Sequence, residues 1–167
     1  MKRTYSLIAI ALLIGLFIYL FYRTEKTVVN ELLMLFVSHD TFSEMRITIT
    51  RAIPLNESII YSLPGGLWVF CTTVLSRDLV IKFGDYKIPM VIIPILFAVG
   101  LEACQLIHLT NGTFDRWDIG FSVMFWLAAY YGFQSQGVHQ NISVPFARKA
   151  FIWLACFLSV YLAHVSA

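Results

Sequence analysis

Residues 100–131, GLEACQLIHLTNGTFDRWDIGFSVMFWLAAYY, decide both the fold and the place of a site. An apolar stretch closes on Glu102-Ala-Cys-Gln105, a polar loop follows from His108 to Thr113, and Asp115-Arg-Trp-Asp118 opens a second apolar stretch. The loop is short, so the two apolar segments it joins are antiparallel neighbours. Three carboxylates, the Gln105 amide, His108 and Arg116 fall within seventeen residues here, whereas the other apolar stretches are nearly free of charge. Ionisable groups in or beside membrane spans are expensive and need partners, which makes them functional candidates.

Working outward, the composition places these segments in a membrane. Of 167 residues, 59% are hydrophobic and 13% charged, against roughly 25% charged in soluble domains. The mean hydropathy of +0.75 agrees. A net charge of +2, with Lys and Arg scattered along the chain, gives no basic stripe for nucleic acid. Cys71, Cys104 and Cys156 lie in apolar runs at unrelated spacings and read as small packing residues. Asn56-Glu-Ser, Asn111-Gly-Thr and Asn141-Ile-Ser fit the glycosylation pattern, a three-residue pattern that recurs by chance.

The expected fold is all-α: a polytopic membrane protein with about five transmembrane helices and a short interfacial helix, forming one membrane domain over 1–167. Spans are expected at about 5–22, 59–75, 88–106, 115–133 and 150–164. The apolar segment 28–37 is too short to cross a bilayer and has helical spacing at Leu32, Leu33, Phe36 and Val37, as an interfacial helix does. Residues 45–51 alternate apolar and polar and read as extended. Residues 76–87 read as a polar loop, Pro89 as part of the third span's first turn, and Pro94 as a kink. With the N-terminus in the cytoplasm, seven basic residues lie inside and five outside. The inner ones sit on short loops, where the positive-inside bias is most reliable. The acidic loop then faces away from the cytoplasm.

Glu102 and Gln105, three apart, share one helix face, as do Asp115 and Asp118 in the first turn of the following helix. The two faces converge on one shallow outward-facing pocket. Carboxylates in a first turn are stabilised by the helix dipole alone, which covers Asp115 better than the deeper Asp118. Glu102 precedes a helix end that disfavours anions, so it needs a partner. Arg116, His108 and Arg51 are the candidates, and Asn56 opens the preceding span nearby. Asn111 or Thr113 is the expected helix cap. No zinc or nucleophile motif is present, and neither a metal nor a cofactor is expected.

Glu102-x-x-Gln105 followed by Gly112-Thr-Phe-Asp115-x-x-Asp118 resembles the VanZ-like family of small bacterial membrane proteins. Asn56-Glu-Ser, Tyr61 and Leu63-Pro-Gly-Gly-Leu-Trp68 are similar in placement. The likeness covers about 51–133. The Asn that commonly follows the second Asp is replaced around Phe121-Ser122. The resemblance implies Glu102, Gln105, Asp115 and Asp118 as site residues and a role in the bacterial cell envelope, including glycopeptide-antibiotic resistance. Arg51, Asn56 and Arg116 join the ligand-binding candidates on the spatial argument alone.

Three functions follow as expectations. The first is binding of a polar lipid headgroup or a cell-wall or glycan precursor in the bacterial inner membrane. The second is an accessory subunit of a larger membrane complex. The third is an enzyme hydrolysing or transferring a lipid-linked group, with Glu102 as base.

Overall fold

The computed structural model describes residues 2–23, 30, 37–77, 79–83, 86–110, 113–133 and 140–141. It is mostly helical. In chain order it contains α1 (Lys2–Tyr22), α2 (His39–Ala52), α3 (Glu57–Ser76), β1 (Leu79–Phe83), β2 (Tyr86–Pro89), a 3-10 turn (Met90–Ile92), α4 (Ile93–Leu106), α5 (Arg116–Gly132) and β3 (Gln140–Asn141). Among the described residues two helices are long and apolar enough to cross a membrane, Thr4–Tyr22 and Glu57–Ser76, and Met90–Leu106 is a shorter apolar helix. The fifth span at 150–164 lies outside the described residues, as does the interfacial helix at 28–37 apart from Asn30 and Val37.

Helix α3 is the centre of the bundle. Of its apolar window 56% is buried, against 17% for α1. The main packings run from α3 to α5, α1 and α4, with α4 also on α5. Small residues permit the closest of these. A Cβ on Gly66 would stand 2.6 Å from Phe125 Cδ2 and 3.2 Å from Phe121 Cβ, so only glycine lets α5 approach here. On another face, Cys71 is fully buried and its thiol points to the Ile8 carbonyl at 3.8 Å, which confirms its packing role. The Thr72 hydroxyl returns to the Trp68 carbonyl at 2.9 Å and so needs no partner outside the helix.

Four expectations are corrected. Residues 45–51 are helical, within α2. Ser38 caps that helix by accepting from Thr41 N, and Thr48 and Thr50 return their hydroxyls to Glu44 O and Arg46 O. Phe42 and Ile49 also fit one helical face, with Phe42 packed on Phe21 at 6.0 Å, so tertiary contact overrides the alternation. The polar loop at 76–87 is largely a hairpin, in which Phe83 pairs with Tyr86 across the two residues Gly84 and Asp85. Leu79-Val-Ile-Lys-Phe has the composition of a strand and Gly-Asp that of a two-residue hairpin connection. Pro94 lies in the first turn of α4, where its missing N–H is harmless, and Pro89 ends β2.

Candidate functional site

The C-terminal ends of α1 and α4 and the N-terminal ends of α3 and α5 meet at one end of the bundle. Arg46 fixes the α1 end by donating from Nε to Phe21 O at 2.9 Å and from its guanidinium to Arg23 O. Tyr22 donates to Ile53 O at 2.6 Å. Asn56 and Asp115 cap α3 and α5, accepting from Ser58 N at 3.4 Å and Trp117 N at 2.9 Å. Asp115, rather than Asn111 or Thr113, is therefore the cap, because its short side chain sits immediately before the first helical turn.

Between α4 and α5 the chain reverses in a tight C-terminal motif. His108 N donates to Gln105 O at 3.0 Å and Leu109 N to Cys104 O at 2.8 Å, with His108 at a φ of 58° in the left-handed region. His108 is exposed there.

Glu102 is 8% exposed, buried at this end of the bundle. Its Oε2 accepts the Asp115 backbone N–H at 3.1 Å. The Gln105 amide, turned with its nitrogen toward the carboxylate, donates to both oxygens at 3.2 Å. The opposite orientation would place oxygen against oxygen. Asp118 lines the same end of the cavity as Glu102. None of the expected cations, Arg116, His108 or Arg51, is among these partners; Arg116 and Arg51 are exposed on α5 and α2.

A cavity of about 460 Å³ opens beside this cluster, with α3 as its floor and α1 and α4 as its walls. Its polar end carries Glu102, Gln105, Asp118 and Ser122, faced by Arg23, Tyr61 and Ser62. From there it runs between Leu12, Leu16, Trp68, Phe97 and Leu101, wholly apolar side chains apart from the indole N–H. Leu12 and Tyr19 are seven residues apart on α1, so that wall is ~10 Å long at 1.5 Å per residue, and Arg23 follows directly after the helix.

Three sequence-derived candidates, Glu102, Gln105 and Asp118, thus come together on the cavity. Asp115 serves it indirectly, through its N–H to Glu102. Arg51, Arg116 and Asn56 do not line it. Among the described residues no group of three His, Cys, Asp or Glu side chains is placed to hold a metal ion.

The sequence-derived site candidates did not include Arg23, Tyr61, Ser62 or Ser122, although Tyr61 and Ser122 fall within the motif resemblance. Arg23 donates to Tyr61 O at 3.0 Å, and its guanidinium lies 4.3 Å from the Tyr19 ring centre and 5.5 Å from that of Tyr61. Tyr19 and Arg23 are one helical turn apart, which was a usable signal. Arg23 Nε and Ser62 Oγ are buried and have no hydrogen-bond partner among the described residues. Ser122 stands where the motif resemblance has its replaced Asn, and it faces the cavity from the turn below Asp118.

Comparison with family models, with curated proteins and with solved structures gives no match.

Proposed function

We propose that this chain is a multi-pass protein of the bacterial inner membrane, with five spans and a cytoplasmic N-terminus, related in kind to the VanZ-like proteins. Its outward-facing pocket binds the polar head of an envelope component, a lipid or a lipid-linked cell-wall or glycan precursor. One observation carries this reading: the cavity is polar at one end and apolar along the rest. Glu102, Gln105 and Asp118 converge with Arg23 and Ser62 at the polar end, and the remainder runs ~10 Å down a helix wall. Water fills an indentation of any polarity, whereas a polar head joined to an apolar tail matches this gradient.

The test is mass spectrometry of whatever co-purifies in mild detergent with the wild type and with a Glu102→Gln/Asp118→Asn double variant of equal yield. A lipid or glycolipid held by the wild type and lost from the variant is the expected result. A protein partner held equally by both, with no lipid difference, moves the function to the outer faces of the helices and makes the chain an accessory subunit.

A further inference from the structure

The polar end of the cavity holds unmet donors and a pair of facing acceptors. Ser62 is 1% exposed, and neither its hydroxyl nor the buried Arg23 Nε–H has a partner among the described residues. A buried donor left unpaired costs ~1–3 kcal/mol, so a chain that keeps two at the polar end of one cavity fits a ligand that brings acceptors to them. Opposite stand Glu102 and Asp118, whose carboxyl oxygens line the same end of the cavity as acceptors for a donor on the ligand. Two acidic side chains thus stand across the cavity from the single guanidinium of Arg23. The cavity therefore matches a molecule that brings an anionic acceptor group to Arg23 and Ser62, an N–H donor group to Glu102 and Asp118, and an apolar tail.

The kind of cation is also constrained. A quaternary ammonium is bound through aromatic faces, but the Tyr19 and Tyr61 rings already carry the Arg23 guanidinium at 4.3 Å and 5.5 Å. The carboxyl oxygens reward N–H donors, which a primary ammonium supplies and a trimethylammonium does not.

We infer that the cavity holds an aminophospholipid of the phosphoethanolamine type. Its ammonium lies between Glu102 and Asp118, its phosphate accepts from Arg23 and Ser62, and one acyl chain lies along Leu16, Trp68 and Phe97. This rests on the lipid-pocket reading above and names its ligand class.

Gly15 provides a variant independent of the charges. It lines the cavity, and a Cβ added there meets nothing within 4 Å, so Gly15→Leu fills the acyl channel without displacing the helix backbone. The full-length protein is equilibrated in vesicles of equal parts phosphatidylethanolamine, phosphatidylcholine and phosphatidylglycerol. It is then re-extracted in detergent, and the retained lipid is weighed by native mass spectrometry. The wild type is expected to keep one phosphatidylethanolamine per chain, at least tenfold over either competitor. Glu102→Gln/Asp118→Asn and Gly15→Leu are each expected to lose the bound phosphatidylethanolamine. If the double variant does not fold, the wild-type preference and Gly15→Leu still decide. Equal or greater retention of phosphatidylcholine or phosphatidylglycerol, abolished by Gly15→Leu, overturns the amine assignment while the lipid pocket stands. A glycolipid carried through from the cells and not displaced by phosphatidylethanolamine does the same. Retention of no lipid by any form overturns both.

Discussion

Asp115 and Asp118 are one turn apart and chemically identical, yet their surroundings assign them different work. Asp115 Oδ1 accepts from Trp117 N and caps α5, while its own backbone N–H is donated to Glu102. Asp118 lines the cavity wall with Glu102. Asn caps helices about as well as Asp. Asp115→Asn should therefore leave thermal stability and bound lipid unchanged, and Asp115→Ala should cost ~1 kcal/mol of stability with lipid still bound. Asp118→Asn should release lipid with little change in the unfolding midpoint. Unfolding in detergent followed by lipid analysis of the same samples checks all three, and lipid loss from Asp115→Asn would sink the division of labour. The acidic half of the site was legible in sequence because its members lie close along the chain, with spacings of three that fix their face. The other half was not. Arg23 meets Tyr61 across thirty-eight positions, and nothing local to Ser62 marks its hydroxyl as buried without a partner.

At the scale of elements, the apolar runs of α1, α3 and α5 were readable because a long uncharged stretch leaves the chain few alternatives to a helix. The short elements were not. Seven alternating residues at 45–51 satisfy a strand pattern, but the Ser38 cap and the contact of Phe42 with Phe21 place them in α2. The hairpin was hidden by its charges, although Lys82 and Lys87 occupy paired positions across it. The tightest helix contact is testable. Gly65 and Gly66 are adjacent, yet an added Cβ at Gly65 meets nothing within 4 Å, whereas at Gly66 it collides with Phe125 and crowds Phe121. Gly66→Ala is expected to destabilise the protein by ~1–3 kcal/mol through overpacking. Gly65→Ala should be neutral or stabilising by up to ~1 kcal/mol through helix propensity. Equal unfolding midpoints for the two variants would show that α5 does not rest on Gly66.

For the whole molecule, the two ends of α3 differ in the charges around them, with carboxylates beside Arg23 and Arg46 at one end and the hairpin lysines at the other. Its N-terminal end stands at the polar mouth of the cavity with Glu102, Asp115 and Asp118. Its C-terminal end leads to Arg77, which donates to Ala129 O at 3.0 Å, and then to the hairpin with Lys82 and Lys87. Twenty residues separate the ends, or ~30 Å at 1.5 Å per residue, the thickness of a bilayer's hydrocarbon core. Basic residues favour the cytoplasmic side, so the hairpin is expected inside and the cavity mouth outside. Tyr86, 78% exposed on the hairpin, and Leu109, 72% exposed at the α4–α5 turn, are reporters for the two sides. In a background with Cys71, Cys104 and Cys156 replaced by Ala, Leu109→Cys should react with an impermeant maleimide on intact cells stripped of their outer layers. Tyr86→Cys should react only after permeabilisation. The reverse pattern would turn the cavity toward the cytoplasm and exclude ligands from the outer leaflet. Labelling of both without permeabilisation would place the two ends of α3 on one side, leaving the helix as a packed core rather than a span.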